Sequence, residues 1–273
     1  MKYLNETKEH YTQFLYTLFT YPQAVSFIRI HKIWSGFWKY SWASKILIVA
    51  AILSGLKFLQ SIVHWFDKAD TSDPLAAMSV MGTMMVDVVS REYEYLTSGS
   101  MRYLMIILVE IVIFHVSRKT LEILINKESD STMKAFIHAQ IRMIKVAFFC
   151  YVMEMVFGLG TKAVFGVFGA FQFLQPAALF LIQVFFMGFA VLDNYLEQFN
   201  LTIKESFKYT RNFIGVALGC GLSMQLFFLV PVMGPVIAPF LAAVTATIAM
   251  VELSDLHLRP ALKPIPVEEE VYV

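Results

Sequence analysis

The chain has 273 residues, a formal net charge of +1, and only 16 % charged residues against 58 % hydrophobic ones. A soluble domain carries roughly one quarter charged residues, so this composition argues against a soluble enzyme and offers no bulk charge for nucleic acid. It points to one all-α integral membrane domain with the lipid bilayer as its first partner.

Residues 1–45 read as a polar-to-amphipathic cytoplasmic or interfacial segment that ends in Trp34, Trp38, Tyr40 and Trp42. Aromatic clustering of this kind suits a membrane interface. The membrane domain spans 46–252 and begins with a first spanning helix from Ile46 to about Phe66. A mixed stretch, 67–100, leads to a second span that starts at Met101, reaches about Val116 and continues as helix towards Ile125. After a polar turn, Met133, Phe136, Ile137, Ile141 and Ile144 recur at three- and four-residue spacing. That period predicts an amphipathic helix, packed on the bundle or lying on the bilayer surface.

Two short-limbed or re-entrant hairpins follow. In the first, Val146–Gly158 is too short to span, Gly158-Leu159-Gly160 is expected to break it, and a second limb runs through Pro176 to about Leu192. The second, Phe213 to Val251, contains no charged residue. Its limbs, Phe213–Val230 and Val236–Val251, have 18 and 16 residues. At about 1.5 Å per residue they reach roughly 24–27 Å, against a hydrocarbon core of about 30 Å. Pro231, Gly234, Pro235 and Pro239 at the join forbid one continuous helix. Interrupted segments of this kind mark substrate paths in transport proteins. Residues 253–273 form a polar cytoplasmic tail.

Lys and Arg concentrate in residues 1–45 and 117–145, six in each, while 67–100 holds only Lys68 and Arg91. The positive-inside rule therefore places both termini and 117–145 in the cytoplasm. Lys57 and Glu110 fall near the middles of the two spans. A charge at that depth costs a few kcal/mol unless paired or hydrated, so the two form an ion pair, line a pathway, or Lys57 snorkels. Glu154 and Lys162 flank the Gly158/Gly160 segment, either guarding a pore mouth or reaching headgroups. Gly215-x-x-x-Gly219 is a close-packing motif. Cys150 and Cys220 read as small packing residues. No Walker loop, nucleophile elbow, zinc spacing or paired-carboxylate motif occurs, so no enzyme, cofactor or metal is expected.

The segment Leu192-Asp193-Asn194-Tyr195-Leu196-Glu197-Gln198-Phe199-Asn200-Leu201-Thr202, with the later Gly215, Gly219, Gly221, Val230-Pro231, Pro239 and Ala243–Thr247, resembles the CysZ-type sulfate permease family (the etoposide-induced-type membrane domain). Asp193, Glu197, Pro231 and Pro239 stand at matching motif positions. The resemblance implies two long transmembrane helices and two pairs of helices that penetrate only part of the bilayer. It also implies a homo-oligomer in the bacterial inner membrane that takes up sulfate. The family's anion motif falls on Gly36-Phe37-Trp38-Lys39: Gly36 and Lys39 match, Trp38 stands where the family has Arg, and Lys45 is a further basic candidate. The expected function is thus a small-oxyanion permease or channel, passive or ion-coupled. The rival is a membrane scaffold or accessory protein with the same fold that transports nothing.

Overall fold

The computed structural model describes residues 2–34, the helical positions 60, 63 and 90, and residues 99–126, 133–167, 169–230 and 234–258. Among these, every regular element is helical: α1 (Lys2–His31), α2 (Gly99–Ile125), α3 (Met133–Val167), α4 (Gln175–Glu197), α5 (Ile203–Thr210), α6 (Ile214–Phe227) and α7 (Gly234–Leu253), with short 3₁₀ turns between or after them. Gly36, Lys39, Lys45, Lys57 and Pro231, and the side chain of Glu110, lie outside the described residues.

The helix ends follow local chemistry. Lys32, Asn126 and Asn200 adopt positive φ directly after α1, α2 and the last turn of α4. After α1, the Ile33 N–H reaches back to the Ile28 carbonyl at 3.3 Å, and both side chains are buried, the pattern of a Schellman cap. Pro176 sits in the first turn of α4, where its missing N–H has no helical partner to lose. Thr202 and Glu205 form a capping box at the start of α5: the Thr202 N–H and hydroxyl each donate to Glu205 Oε2 at 2.8 Å.

Helices α6 and α7 form the centre, with α1, α2 and α4 packed around them and α3 outside α2 and α4. Close approach explains this order. A Cβ on Gly188 would strike the Ala217 backbone, and one on Gly221 the Val184 carbonyl, so α4 and α6 meet backbone to backbone. Gly215 and Gly219 do the same for α1, where an added Cβ would lie 2.7 Å from Gln13 Cβ and 2.8 Å from Thr17 Cβ. Gly215-x-x-x-Gly219 is therefore a packing surface. The partner face of α1 is polar, and its threonines are satisfied within the helix: Thr17 and Thr20 hydroxyls donate to the carbonyls of Gln13 and Tyr16 at 2.8 Å. The amide of Gln13 donates to the Asn212 carbonyl at 2.9 Å. Cys150 and Cys220 are buried packing residues.

One expectation is overturned. Gly158-Leu159-Gly160 does not break the chain; α3 runs unbroken for 35 residues from Met133 to Val167. Each Gly costs about 1 kcal/mol relative to Ala in a helix but keeps its N–H, so the ladder continues. Interrupting it would orphan backbone groups at a larger cost. Pro239 likewise lies inside α7 rather than in the join, which is confined to the segment between Phe227 and Gly234.

Among the described residues two stretches are long and apolar enough to cross a membrane, Ile137–Val167 with 31 residues and Phe171–Glu197 with 27. Their most apolar windows are only 22 % and 39 % buried within the protein. The core helix of a soluble domain has the opposite character. By contrast α6, at 14 residues, reaches about 21 Å.

Candidate functional site

Glu154 and Lys162 share one groove. Residues 151, 154, 155, 158, 159 and 162 recur at three- and four-residue spacing and form a single stripe of α3. Pro176, Leu179, Phe180, Ile182 and Gln183 of α4 close the other wall, enclosing about 470 Å³. Gly158 opens the middle of this groove, since a Cβ there would only touch Leu179 Cδ2 at 3.7 Å. Glu154 is half-buried and accepts a hydrogen bond from the Tyr103 hydroxyl at 2.6 Å. Tyr103, itself buried on α2, stands edge-on to Tyr151 with centroids 6.3 Å apart. Lys162 is exposed two turns further along α3. The groove thus presents a carboxylate held by a phenol at one level and an ammonium at another, on a largely apolar wall.

The motif residues Asp193 and Glu197 lie elsewhere, at the other end of the hairpin. They occupy successive turns of α4 and face His138 and Arg142, which occupy successive turns of α3. Arg142 grips Asp193 with two bonds, Nε to Oδ2 at 2.9 Å and Nη2 to Oδ1 at 2.8 Å. Two more of its hydrogens reach the Leu201 carbonyl and Ser206 Oγ. Glu197 stands 3.8 Å from Arg142 Nε and 3.6 Å from His138 Nδ1. One guanidinium therefore ties α3, α4, the 198–202 turn and α5 together. Four of its five donors are used within the protein, so this cluster is built as a clamp.

Sequence reasoning singled out Asp193 and Glu197 but read Arg142 only as one of the basic residues that set orientation. The paired spacing was visible: a basic i, i+4 pair on one amphipathic helix and an acidic i, i+4 pair on another. The 51 residues that separate Arg142 from Asp193 hid the contact. Beside the clamp, the Thr202 backbone and hydroxyl donors hold the Glu205 carboxyl below the usual carboxylate range. A second polar chain crosses the bundle, in which Gln198 Nε2 donates to Ser117 Oγ at 3.0 Å and Ser117 lies 3.1 Å from Thr247 Oγ1. Among the described residues no three His, Cys, Asp or Glu side chains gather as metal ligands would. No family model, curated protein or solved structure matches this chain.

Proposed function

We propose that this chain is a multi-pass membrane permease or channel for a small oxyanion, sulfate first, of the CysZ type and resident in a bacterial inner membrane with both termini cytoplasmic. The observation that carries the reading is the groove that Glu154 and Lys162 both line, set on two helices that, among the described residues, are long and apolar enough to cross a membrane. Ionisable side chains on such helices are expensive and generally serve a pathway. Lys162 supplies a cation for an incoming oxyanion, and Glu154, restrained by Tyr103, sets the charge balance behind it. Gly36 and Lys39 enter as an additional anion site through the family resemblance, with Lys45 beside them. Lys57 and Glu110 are the corresponding pair for the earlier spans. Passage requires no ATP-hydrolysing motif in this chain, and a homo-oligomer would enclose the open side of the groove.

The test is uptake of labelled sulfate by liposomes that contain purified protein. Uptake is expected above that of empty liposomes, with Lys162→Ala and Lys39→Ala each lowering it. Correctly inserted protein that neither binds nor admits sulfate would hand the fold to the rival reading, a membrane scaffold. The clamp at Arg142, with four of its five donors spent inside the protein, is the observation on that side.

A further inference from the structure

We infer that the α3–α4 hairpin crosses the bilayer completely, so that the Gly169–Leu174 turn emerges on the face opposite the 198–202 turn. This inference rests on the membrane reading above and departs from the partial penetration that the family resemblance implies.

The Arg142–Asp193 pair puts the two limbs at a common height, because its contacts are 2.8–2.9 Å. From that level α3 rises unbroken to Lys162, 20 residues on, or about 30 Å at 1.5 Å per residue. Along α4, Asp193 lies 18 residues from Gln175, or about 27 Å. Measured from one shared point, Lys162 on α3 and Gln175 at the start of α4 lie at nearly the same distance. That distance is the thickness of a hydrocarbon core, about 30 Å. A hairpin that merely dipped would bring the Lys162 ammonium to rest inside the hydrocarbon.

The charge pattern has the same period. From Ala163 to Leu192 there is no charged residue. Between Arg142 and Lys162 stand only Lys145, one turn from the lower end, and Glu154, whose carboxylate faces Tyr103 and the groove. The outward surface at intermediate heights is apolar: Phe148, Met155, Val156, Phe157, Phe180 and Leu181 are all exposed. At the turn, Phe171 and Phe173 are exposed beside Gln172. A band of exposed hydrocarbon about 30 Å tall, with cations at both edges, fits lipid tails between two layers of phosphate. The band also limits the groove: Lys162 stands at the far edge, so the groove opens towards the face on which the turn emerges.

Cysteine accessibility tests this on the full chain in sealed membrane vesicles of both orientations. The native thiols, both buried, provide the blank in the unsubstituted protein. Phe173→Cys is expected to react with a membrane-impermeant maleimide from one side only, and Lys204→Cys from the other side only. Val156→Cys is expected to react from neither side, although it is exposed on the protein. Labelling of positions 173 and 204 from the same side would overturn the crossing while leaving a membrane protein in place. So would absence of label at 173 from either side in a chain that resists alkaline extraction. Release of the chain by alkaline extraction, with position 156 freely labelled, would instead remove the membrane reading on which the inference stands.

Discussion

The two hairpins, α3–α4 and α6–α7, are held in opposite ways. Helices α6 and α7 sit at the centre, and their contacts are made by small residues. Gly215, Gly219 and Gly221 admit neighbouring backbones, and Ala242, Ala243, Ala246 and Ala249 are all fully buried or nearly so. The α3–α4 pair joins this body through the lower part of α4, while much of its remaining surface faces outward. At its base a single guanidinium joins α3 to α4, the 198–202 turn and α5. Dispersion over many close contacts secures α6–α7; in α3–α4 a few strong polar bonds add to the apolar contacts between the two helices. The candidate site lies in the more open of the two, where side chains have room for a ligand.

The sharpest way to break this contrast is Arg142→Ala. It strands the buried Asp193 carboxylate, and losing one partner of such a pair costs roughly 3–5 kcal/mol. Protein unfolded by denaturant in detergent should show that loss. Hydrogen exchange should quicken first along residues 137–150 while α6 stays protected. Equal loosening of α6 would mean that the clamp serves the whole bundle.

Gly221→Ala attacks the other hairpin. The new methyl meets the Val184 carbonyl, so α4 and α6 must separate, at about 1–3 kcal/mol. Here exchange should quicken at α6 and α4 together. Thr202→Ala, which removes the hydroxyl of the α5 capping box, should cost about 1 kcal/mol. This effect depends on pH. Glu205 titrates below its ordinary value in the folded chain, so the stability it contributes is full above the unfolded value. It is lost as pH falls through the folded one. The gap between Thr202→Ala and the parent should therefore narrow on acidification below about pH 4.

Gly160→Ala carries the smallest effect and the opposite sign. Nothing lies within 4 Å of the added Cβ, so α3 should gain up to about 1 kcal/mol of helix propensity. If Gly160→Ala destabilised as much as Gly221→Ala, the contrast between an open hairpin and a packed one would fall.

Much of the fold was legible because it depends on local chemistry. The helical stretch from Met101 towards Ile125 is part of α2. Pro176 lies at the start of α4, and the proline-rich join separates α6 from α7. Residues 158–160 were not legible in the same way, since a glycine pair permits a break without requiring one. Nor was the burial of α1. Its inner face carries Gln13, Thr17 and Thr20, which look like solvent-facing residues until their bonds to carbonyls are counted. The candidate groove was half legible. Glu154 and Lys162 stood out as charges in an apolar run, but Tyr103 lies 51 residues from Glu154 and gave no sign of its contact.

The sequence by itself determined an all-helical chain, the apolar lengths of its segments, the small-residue stripe on α6 and the placement of its few charges. Each of these follows from composition and spacing within a few turns of helix. Only the tertiary structure decided that α3 runs straight through its glycines, that Arg142 is spent on Asp193, and that Glu154 and Lys162 share one wall of a groove. These depend on which distant helices are neighbours, and a neighbour's carbonyl, phenol or missing side chain is invisible to any period along the chain.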